Sequence, residues 1–197
     1  MISKNELTKI VGKENVSDAK SVLLKYSSDY SLVPPGIPDF VVWPTGSTQV
    51  SEVINAANAT GVPVVPVSSQ VHFNGGAIPR QGGIVMDLSK MNRILEIDED
   101  LKKVRIEAGV TWGQLAEELA KKGMRPLMPL MPPANRSVLS DFLDREVPTN
   151  TVYDYGEPMQ GFEVVWPNSE PFRLGSASVN GYPDSGSHGG NPSGPGI

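Results

Sequence analysis

The stretch Val62–Ala77, V-P-V-V-P-V-S-S-Q-V-H-F-N-G-G-A, constrains this chain more than any other. It opens as a β-branched run broken only by Pro63 and Pro66. It follows an apolar-periodic segment that stops at Gly61. Such a run reads as a buried strand. The residues after Val67 are small and polar and end in two glycines. A loop of that composition after a strand presents backbone N–H groups that form a concavity for an anion, and this suits a phosphate or pyrophosphate. A plain surface turn between two strands explains the same local composition. The choice between the two depends on what lies downstream.

The chain has 197 residues, enough for one large domain or two small ones. It lacks an apolar run of about 18 residues, so no membrane span is expected. The charged start M-I-S-K-N-E-L-T-K-I does not resemble a signal peptide. There is no Cys, hence no disulfide, thiolate metal site or Cys nucleophile. A cysteine-free sequence agrees with a reducing compartment, and a cytoplasmic location is expected. The net charge of −5, without a Lys/Arg cluster, argues against a nucleic-acid partner. From Tyr182 the sequence Y-P-D-S-G-S-H-G-G-N-P-S-G-P-G-I reads as a Gly/Ser/Pro tail, and the fold is expected to continue beyond Ile197.

Leu7, Ile10 and Val11 carry a helical spacing, and a second short helical piece follows at Ala19–Tyr26. Ser31–Pro38 is an extended connector, because successive prolines exclude helix. Phe40–Trp43 reads as a strand. Ser47 or Thr48 is expected to cap a helix with Val50, Ile54 and Ala57 inward, closed by Gly61 at C′. Strand, helix, strand implies parallel strands. Gly82–Leu88 is a second buried strand, and Arg93–Ile97 with Val104–Ala108 is a hairpin around Asp98–Asp100. T-W-G-Q opens a helix as a capping box, with Gln114 reaching back to the Thr111 N–H and Trp112, Leu115, Ala116 and Leu119 inward. Arg125–Pro133 cannot be helix, Ser137–Leu143 is one short helix, and Phe162–Trp166 with Pro171–Leu174 is a last hairpin. The sum is an α+β protein.

The order of these pieces resembles a known family. P-D-F-V-V-W-P-T-G-S-T-Q-V-S-E-V-I-N-A-A-N, G-V-P-V-V-P-V, G-G-I-V-M-D-L-S-K-M-N-R-I-L-E-I-D and R-I-E-A-G-V-T-W-G-Q-L are similar to the FAD-binding domain of the FAD-linked oxidases, of the vanillyl-alcohol oxidase and p-cresol methylhydroxylase type. The glycolate- and lactate-type FAD dehydrogenases share it. S-V-L-S-D-F-L-D-R-E-V, Tyr155-Gly156 and G-F-E-V-V-W extend the likeness over about residues 38 to 175. The resemblance implies a two-subdomain, p-cresol methylhydroxylase-type FAD-binding domain that holds FAD extended between its subdomains and is C-terminally incomplete. Residues 1–37 would be a helical lead-in, 38–110 the first subdomain, 111–181 part of the second, and 182–197 the tail.

The same resemblance implies site residues. Ser68, Ser69, Gln70, Val71, His72, Phe73, Asn74, Gly75 and Gly76 fall on the family's pyrophosphate loop. Ala108, Gly109 and Val110 fall where a Pro-Gly-Val turn meets the nucleotide. Pro132–Ser140, with Pro133, Ser137 and Val138, match the second loop along the pyrophosphate and flavin. Glu163, Val164 and Val165 match the strand near the adenine. Non-covalent FAD is the expectation. A covalent link through His72 is the alternative, since the berberine-bridge branch carries a flavin-bound His at about this place.

The chain departs from the family in two places. Ser68, Gln70 and Val71 stand where the family loop is Gly-rich with an Arg at its start. Asn135-Arg136 replaces Gly-Gly, and Asp141, Asp144 and Glu146 fall where the family has small or neutral residues. Carboxylates there repel a pyrophosphate unless Arg136 or Arg145 offsets them.

The implied activity is oxidation of a phenolic alcohol or a 2-hydroxy acid by hydride transfer to FAD. The substrate half would come from further sequence or a partner subunit, and exposed apolar surface would favour homo-oligomers. No catalytic residue or metal site is assigned. His188 lies in the tail, Tyr153–Tyr155 read as packing, and the Met128–Met131 stretch reads as core filler. The alternative is a non-catalytic remnant of the fold that serves as an interaction module.

Overall fold

The computed structural model describes residues 2–128, 132–144 and 159–175. Arg145, Glu146, Tyr153–Tyr155, His188 and the tail from Tyr182 lie outside the described residues. The elements begin with α1 (Lys4–Val11), β1 (Val16–Ser17) and α2 (Lys20–Leu23), the last extended by a 3₁₀ turn to Tyr26. They continue with β2 (Phe40–Val42), α3 (Ser47–Thr60), β3 (Val64–Val67), β4 (Ile84–Asp87), β5 (Ile94–Asp98) and β6 (Lys103–Ile106). Last come α4 (Trp112–Ala120), α5 (Val138–Leu143), β7 (Gly161–Val165) and β8 (Pro171–Gly175).

One four-stranded sheet runs in the order β1-β2-β4-β3. β2 and β3 are both parallel to β4, with Val41 and Val65 flanking Val85. The strand-helix-strand expectation thus holds, with β4 inserted between the two strands it joins. β1 was not foreseen: Val16 and Ser17 pair antiparallel with Val42 and Val41. A two-residue strand is too short to show a period, and the lead-in's helical spacing hides it.

The period-2 geometry of β4 sends Ile84 and Met86 to one face and Val85 and Asp87 to the other. On the first face Val42, Ile84 and Met86 pack under Leu7 and Val11 of α1 and Val50, Val53 and Ala57 of α3. On the second, Val41, Val67 and Val85 pack under Tyr26. Residues 2–26 are thus part of the sheet and its core. A second core joins Val110, Trp112, Leu115, Leu119 and Val138, with Ile94, Ile97 and Ile106 of the β5–β6 hairpin against it. That hairpin packs with α4 and α5, on the other side of residue 110.

Both long helices end in a reversal at glycine. Gly61 (φ 66°) and Gly123 (φ 68°) are left-handed, and the paired bonds Val62 N–H to Ala57 O and Met124 N–H to Leu119 O close Schellman motifs. Two capping expectations fail. α3 is capped by Gly46 in an extended conformation, not by the Ser47 or Thr48 side chain, because both lie inside the first turn. Thr111 Oγ1 accepts from the Gln114 N–H at 3.3 Å, but the Gln114 amide donates to the Asn92 carbonyl at 2.7 Å instead of completing a box. A carbonyl presented by the β4–β5 connection captures the side chain. In α3, Val53 is fully buried, while Ile54 packs at the core's edge. Among the described residues no helix is long and apolar enough to cross a membrane.

Candidate functional site

Three segments distant in sequence meet behind the β3 end of the sheet. β3 delivers Ser68, whose hydroxyl donates to Ser137 Oγ at 2.9 Å. Ser137 in turn donates to the Ala108 carbonyl at 2.8 Å. Ser140 Oγ lies 2.9 Å from Ser68 Oγ and, with the Ser68 proton already used, is the donor there. The hydroxyls therefore form a directed chain, Ser140 to Ser68 to Ser137 to Ala108. Ser137 also caps α5, accepting from the Ser140 N–H at 3.3 Å. An antiparallel bridge between Thr111 and Ser137 carries Val138 N–H to Val110 O at 3.0 Å and Trp112 N–H to Arg136 O at 3.1 Å. Of the expected site residues, Ser68, Ser69, Gly109, Val110, Ser137 and Val138 thus share one buried region.

Arg136 is 2% exposed and bridges two carboxylates, Asp141 at 2.7 Å and Asp144 at 2.6 Å. Asp141 also accepts from the Trp112 indole N–H. Two of the acidic residues expected to repel a pyrophosphate, Asp141 and Asp144, are therefore paired with Arg136 within their own helix–loop unit, and the single guanidinium offsets one of their two charges. The guanidinium also lies 4.7 Å from the Phe73 ring centroid, which ties the second loop to the first. Its flat group lies over an aromatic that only the fold brings near.

The loop from Ser69 to Gly76 lies over this base. Val71 is buried, while Gln70, Phe73, Asn74 and Gly76 are exposed. His72 Nε2 contacts the Ser69 carbonyl at 2.5 Å, and since a carbonyl only accepts, Nε2 carries the proton. On the sheet side, Asp87 is 1% exposed and accepts from Tyr26 OH at 2.6 Å, Trp43 Nε1 at 3.1 Å and Ser89 N–H at 2.8 Å. Burial, and then the hydrogen bond and charge of Asp87, push the Tyr26 phenol far above its usual range. The Gln70 amide donates to that phenol oxygen at 3.2 Å. Tyr26 and Asp87 carried no functional signal in the sequence. Asp87 reads there as the polar end of a strand, and its partners lie 61 and 44 residues away.

Gly109 has a structural duty. A Cβ there would lie 2.4 Å from the Leu88 carbonyl oxygen and 2.8 Å from Ser89 Cα. Pro133 is exposed and its carbonyl accepts from the Arg136 N–H at 2.9 Å, forming the turn into α5. Glu163 and Val164 sit in the β7–β8 hairpin, which touches α3 through Asn58 Nδ2 to Pro167 O at 2.5 Å. Glu163 pairs there with Arg173 at 3.0 Å and Arg105 at 3.5 Å. These partners belong to β8 and β6, not to the loop.

The residues present suit an anionic group. The N–H groups of residues 70–74 donate to no other part of the chain among the described residues. Ser69 Oγ is buried without a hydrogen-bond partner among the described residues. Gly76 has open space where a Cβ would stand. Unused donors beside a backbone free to be approached are what a pyrophosphate requires.

Comparison with known proteins agrees. Residues 38–133 match the family model described as FAD binding domain. Over 189 residues the chain is 29% identical to the glycolate oxidase subunit GlcD of Bacillus subtilis, covering 91% of this chain and 39% of that protein. It is 28% identical over 177 residues to the 4-cresol dehydrogenase (hydroxylating) flavoprotein subunit of Pseudomonas putida, covering 87% of this chain and 34% of that one. The crystal structure of p-cresol methylhydroxylase with substrate bound superposes with a TM-score of 0.79 at 28% identity, over 90% of this chain and 35% of that one. The chain thus spans between about a third and two fifths of these relatives' length. The chain therefore has the p-cresol methylhydroxylase type of FAD-binding fold, its residues 38–133 match the FAD binding domain model, and FAD is the cofactor of that domain.

Proposed function

We propose that this chain is the FAD-holding portion of a flavin-dependent oxidoreductase that oxidises a phenolic alcohol or a 2-hydroxy acid. The observation that carries the reading is the convergence of Ser68, Ser137 and Ser140 beneath a loop whose N–H groups at residues 70–74 are unused among the described residues. In this reading residues 69–76 hold the pyrophosphate, the turn at Gly109–Val110 and the Pro133–Val138 segment line the same groove, and Glu163–Val164 border the adenine. Bound FAD supplies the hydride acceptor, and the protein supplies orientation and electrostatics. The Arg136–Asp141–Asp144 unit keeps the second loop fixed and both of its carboxylates paired.

The substrate classes follow from the relatives. One is named for glycolate, a 2-hydroxy acid, and the other for 4-cresol, a phenol. Both are named as subunits, which supports a further polypeptide, or further sequence, supplying the substrate side. Exposed Leu32, Tyr30, Ile37 and Leu143 support self-association of the isolated chain. A cytoplasmic location belongs to the same proposal and rests on the cysteine-free sequence. FAD is held non-covalently. One ring nitrogen of His72 is engaged by the Ser69 carbonyl, and a covalent link to the flavin would have to use Nδ1.

The test is an absorbance spectrum of the protein incubated with FAD, before and after acid precipitation. Flavin bands that move to the supernatant are expected. Bands that stay with the pellet overturn non-covalent binding and make His72 the residue to replace. No bands at any FAD concentration leave the interaction-module alternative standing.

A further inference from the structure

Residues 26–33 precede the matched FAD-binding segment, yet they grip its loop from outside. The Asp29 carboxylate accepts from the Gly75 N–H at 2.8 Å through one oxygen and from the Ser31 N–H at 2.8 Å through the other. The Tyr30 N–H donates to the His72 carbonyl at 3.0 Å, and the Tyr30 and Phe73 ring centroids lie 5.6 Å apart. Tyr26 OH holds the Gln70 amide, and Val33 packs so closely on Gly75 that a Cβ there would lie 2.4 Å from Val33 Cγ2. Gly75 is left-handed at φ 76°. The strap is itself stiffened, since Ser31 Oγ accepts from the Val33 N–H at 3.2 Å. Burial works to raise the Asp29 carboxyl, but hydrogen bonds from Ser31 and Gly75 outweigh it and hold the group ionised below the usual range.

We propose that residues 26–33 form a strap that fixes the loop for FAD, with Asp29 as its central positioning residue; this rests on the reading that loop 69–76 receives the pyrophosphate. The loop keeps its N–H groups unused on one side only if something else determines its shape. Without the strap, binding must order the loop as well as fill it, and affinity falls by that ordering cost. The functional unit therefore begins near Tyr26 and not at residue 38. Asp29 acts from outside the site, through the loop backbone that it holds.

The experiment titrates FAD into the full chain, followed by flavin fluorescence anisotropy, for wild type, Asp29→Ala, Asp29→Asn, Tyr30→Ala and the loop control Gly76→Ala. Asp29→Ala is expected to raise the FAD Kd by about tenfold, the size of one lost hydrogen bond to a charged group. Asp29→Asn, with one acceptor oxygen left, should fall between it and wild type. Hydrogen exchange without FAD gives a second readout: the Gly75 amide should exchange faster in Asp29→Ala while β3 and β4 stay protected. If Gly76→Ala weakens FAD and Asp29→Ala stays within about twofold of wild type, the strap is overturned and the loop reading stands. If neither variant changes a measurable affinity, the loop is not where FAD binds and both fail. A wild-type chain that binds no FAD removes both as well.

Discussion

Ser68 Oγ and Ser137 Oγ are 2.9 Å apart and 69 residues apart in sequence, and this contact, with that of Ser68 to Ser140, joins the end of β3 to the start of α5. Because Ser137 passes its own proton to the Ala108 carbonyl, the contact also fixes the turn before α4. Ser137→Ala removes a helix cap and leaves that carbonyl without its hydroxyl partner. A cap contributes about 1 kcal/mol and an unsatisfied buried acceptor about 1–3 kcal/mol, so a loss of roughly 2–3 kcal/mol is expected. Urea unfolding monitored by circular dichroism measures it. A loss under about 0.5 kcal/mol would show the hydroxyl chain to be incidental.

Arg136 is a buried cation between two carboxylates, of which Asp141 is buried with it and Asp144 is partly exposed. Removing one partner of a buried ion pair costs about 3–5 kcal/mol, because the other charge stays behind. Arg136→Met should lose about that much, or fail to fold at 37 °C. Asp144→Asn, at the more exposed end of the pair, should lose no more than about 1 kcal/mol. Equal losses for the two would contradict the assignment of Asp141 as the buried partner.

Tyr26 titrates above its ordinary range because it is buried, and because it donates to Asp87, beside which its ionisation would place a second negative charge. Its protonated form is favoured in the folded state. The resulting stability is fully present below the ordinary tyrosine pKa of about 10 and is lost as the pH rises beyond that value. Tyr26→Phe deletes the phenol and should cost about 1–3 kcal/mol at neutral pH, since Asp87 loses a donor. The difference in unfolding free energy between wild type and Tyr26→Phe should then narrow as the pH is raised above about 10. A constant difference up to the pH of alkaline unfolding would rule out this origin.

Gly76 and Gly109 are both glycines of the expected site, but the structure separates their roles. Gly109→Ala drives a Cβ into the Leu88 carbonyl and should cost about 1–3 kcal/mol in stability. Gly76→Ala meets nothing within 4 Å and should change stability by no more than about 0.5 kcal/mol. It should nevertheless weaken FAD, because a methyl group then occupies the open face of the loop. Thermal melts and FAD titrations on both variants decide the matter. A Gly76→Ala protein with unchanged FAD affinity would place the pyrophosphate elsewhere.

Much of the architecture was determined by the sequence alone. The β-branched run Val62–Val67, the buried block Gly82–Leu88 and the helical spacing in α3 and α4 are each local signals, and β3, β4, α3 and α4 form on them, with the chain reversing after the two helices at Gly61 and Gly123. Family resemblance brought the segments at 68–76, 108–110 and 132–140 to notice one by one. Their meeting was decided only by the tertiary structure. A serine hydroxyl has no period, and nothing near Ser68 in sequence says that Ser137 and Ser140 will lie 2.9 Å away. Gln114 shows the same limit from the other side: its local sequence offers a capping box, and the Asn92 carbonyl takes it instead. Asp29 announces its bond to Ser31 through proximity in the chain, while its bond to Gly75, across 46 residues, exists only after the sheet and its loop have folded. Local patterns fix the elements because they act within a turn or a pleat. The site proposed for the cofactor is made by contacts between elements, and those follow from how the two cores pack.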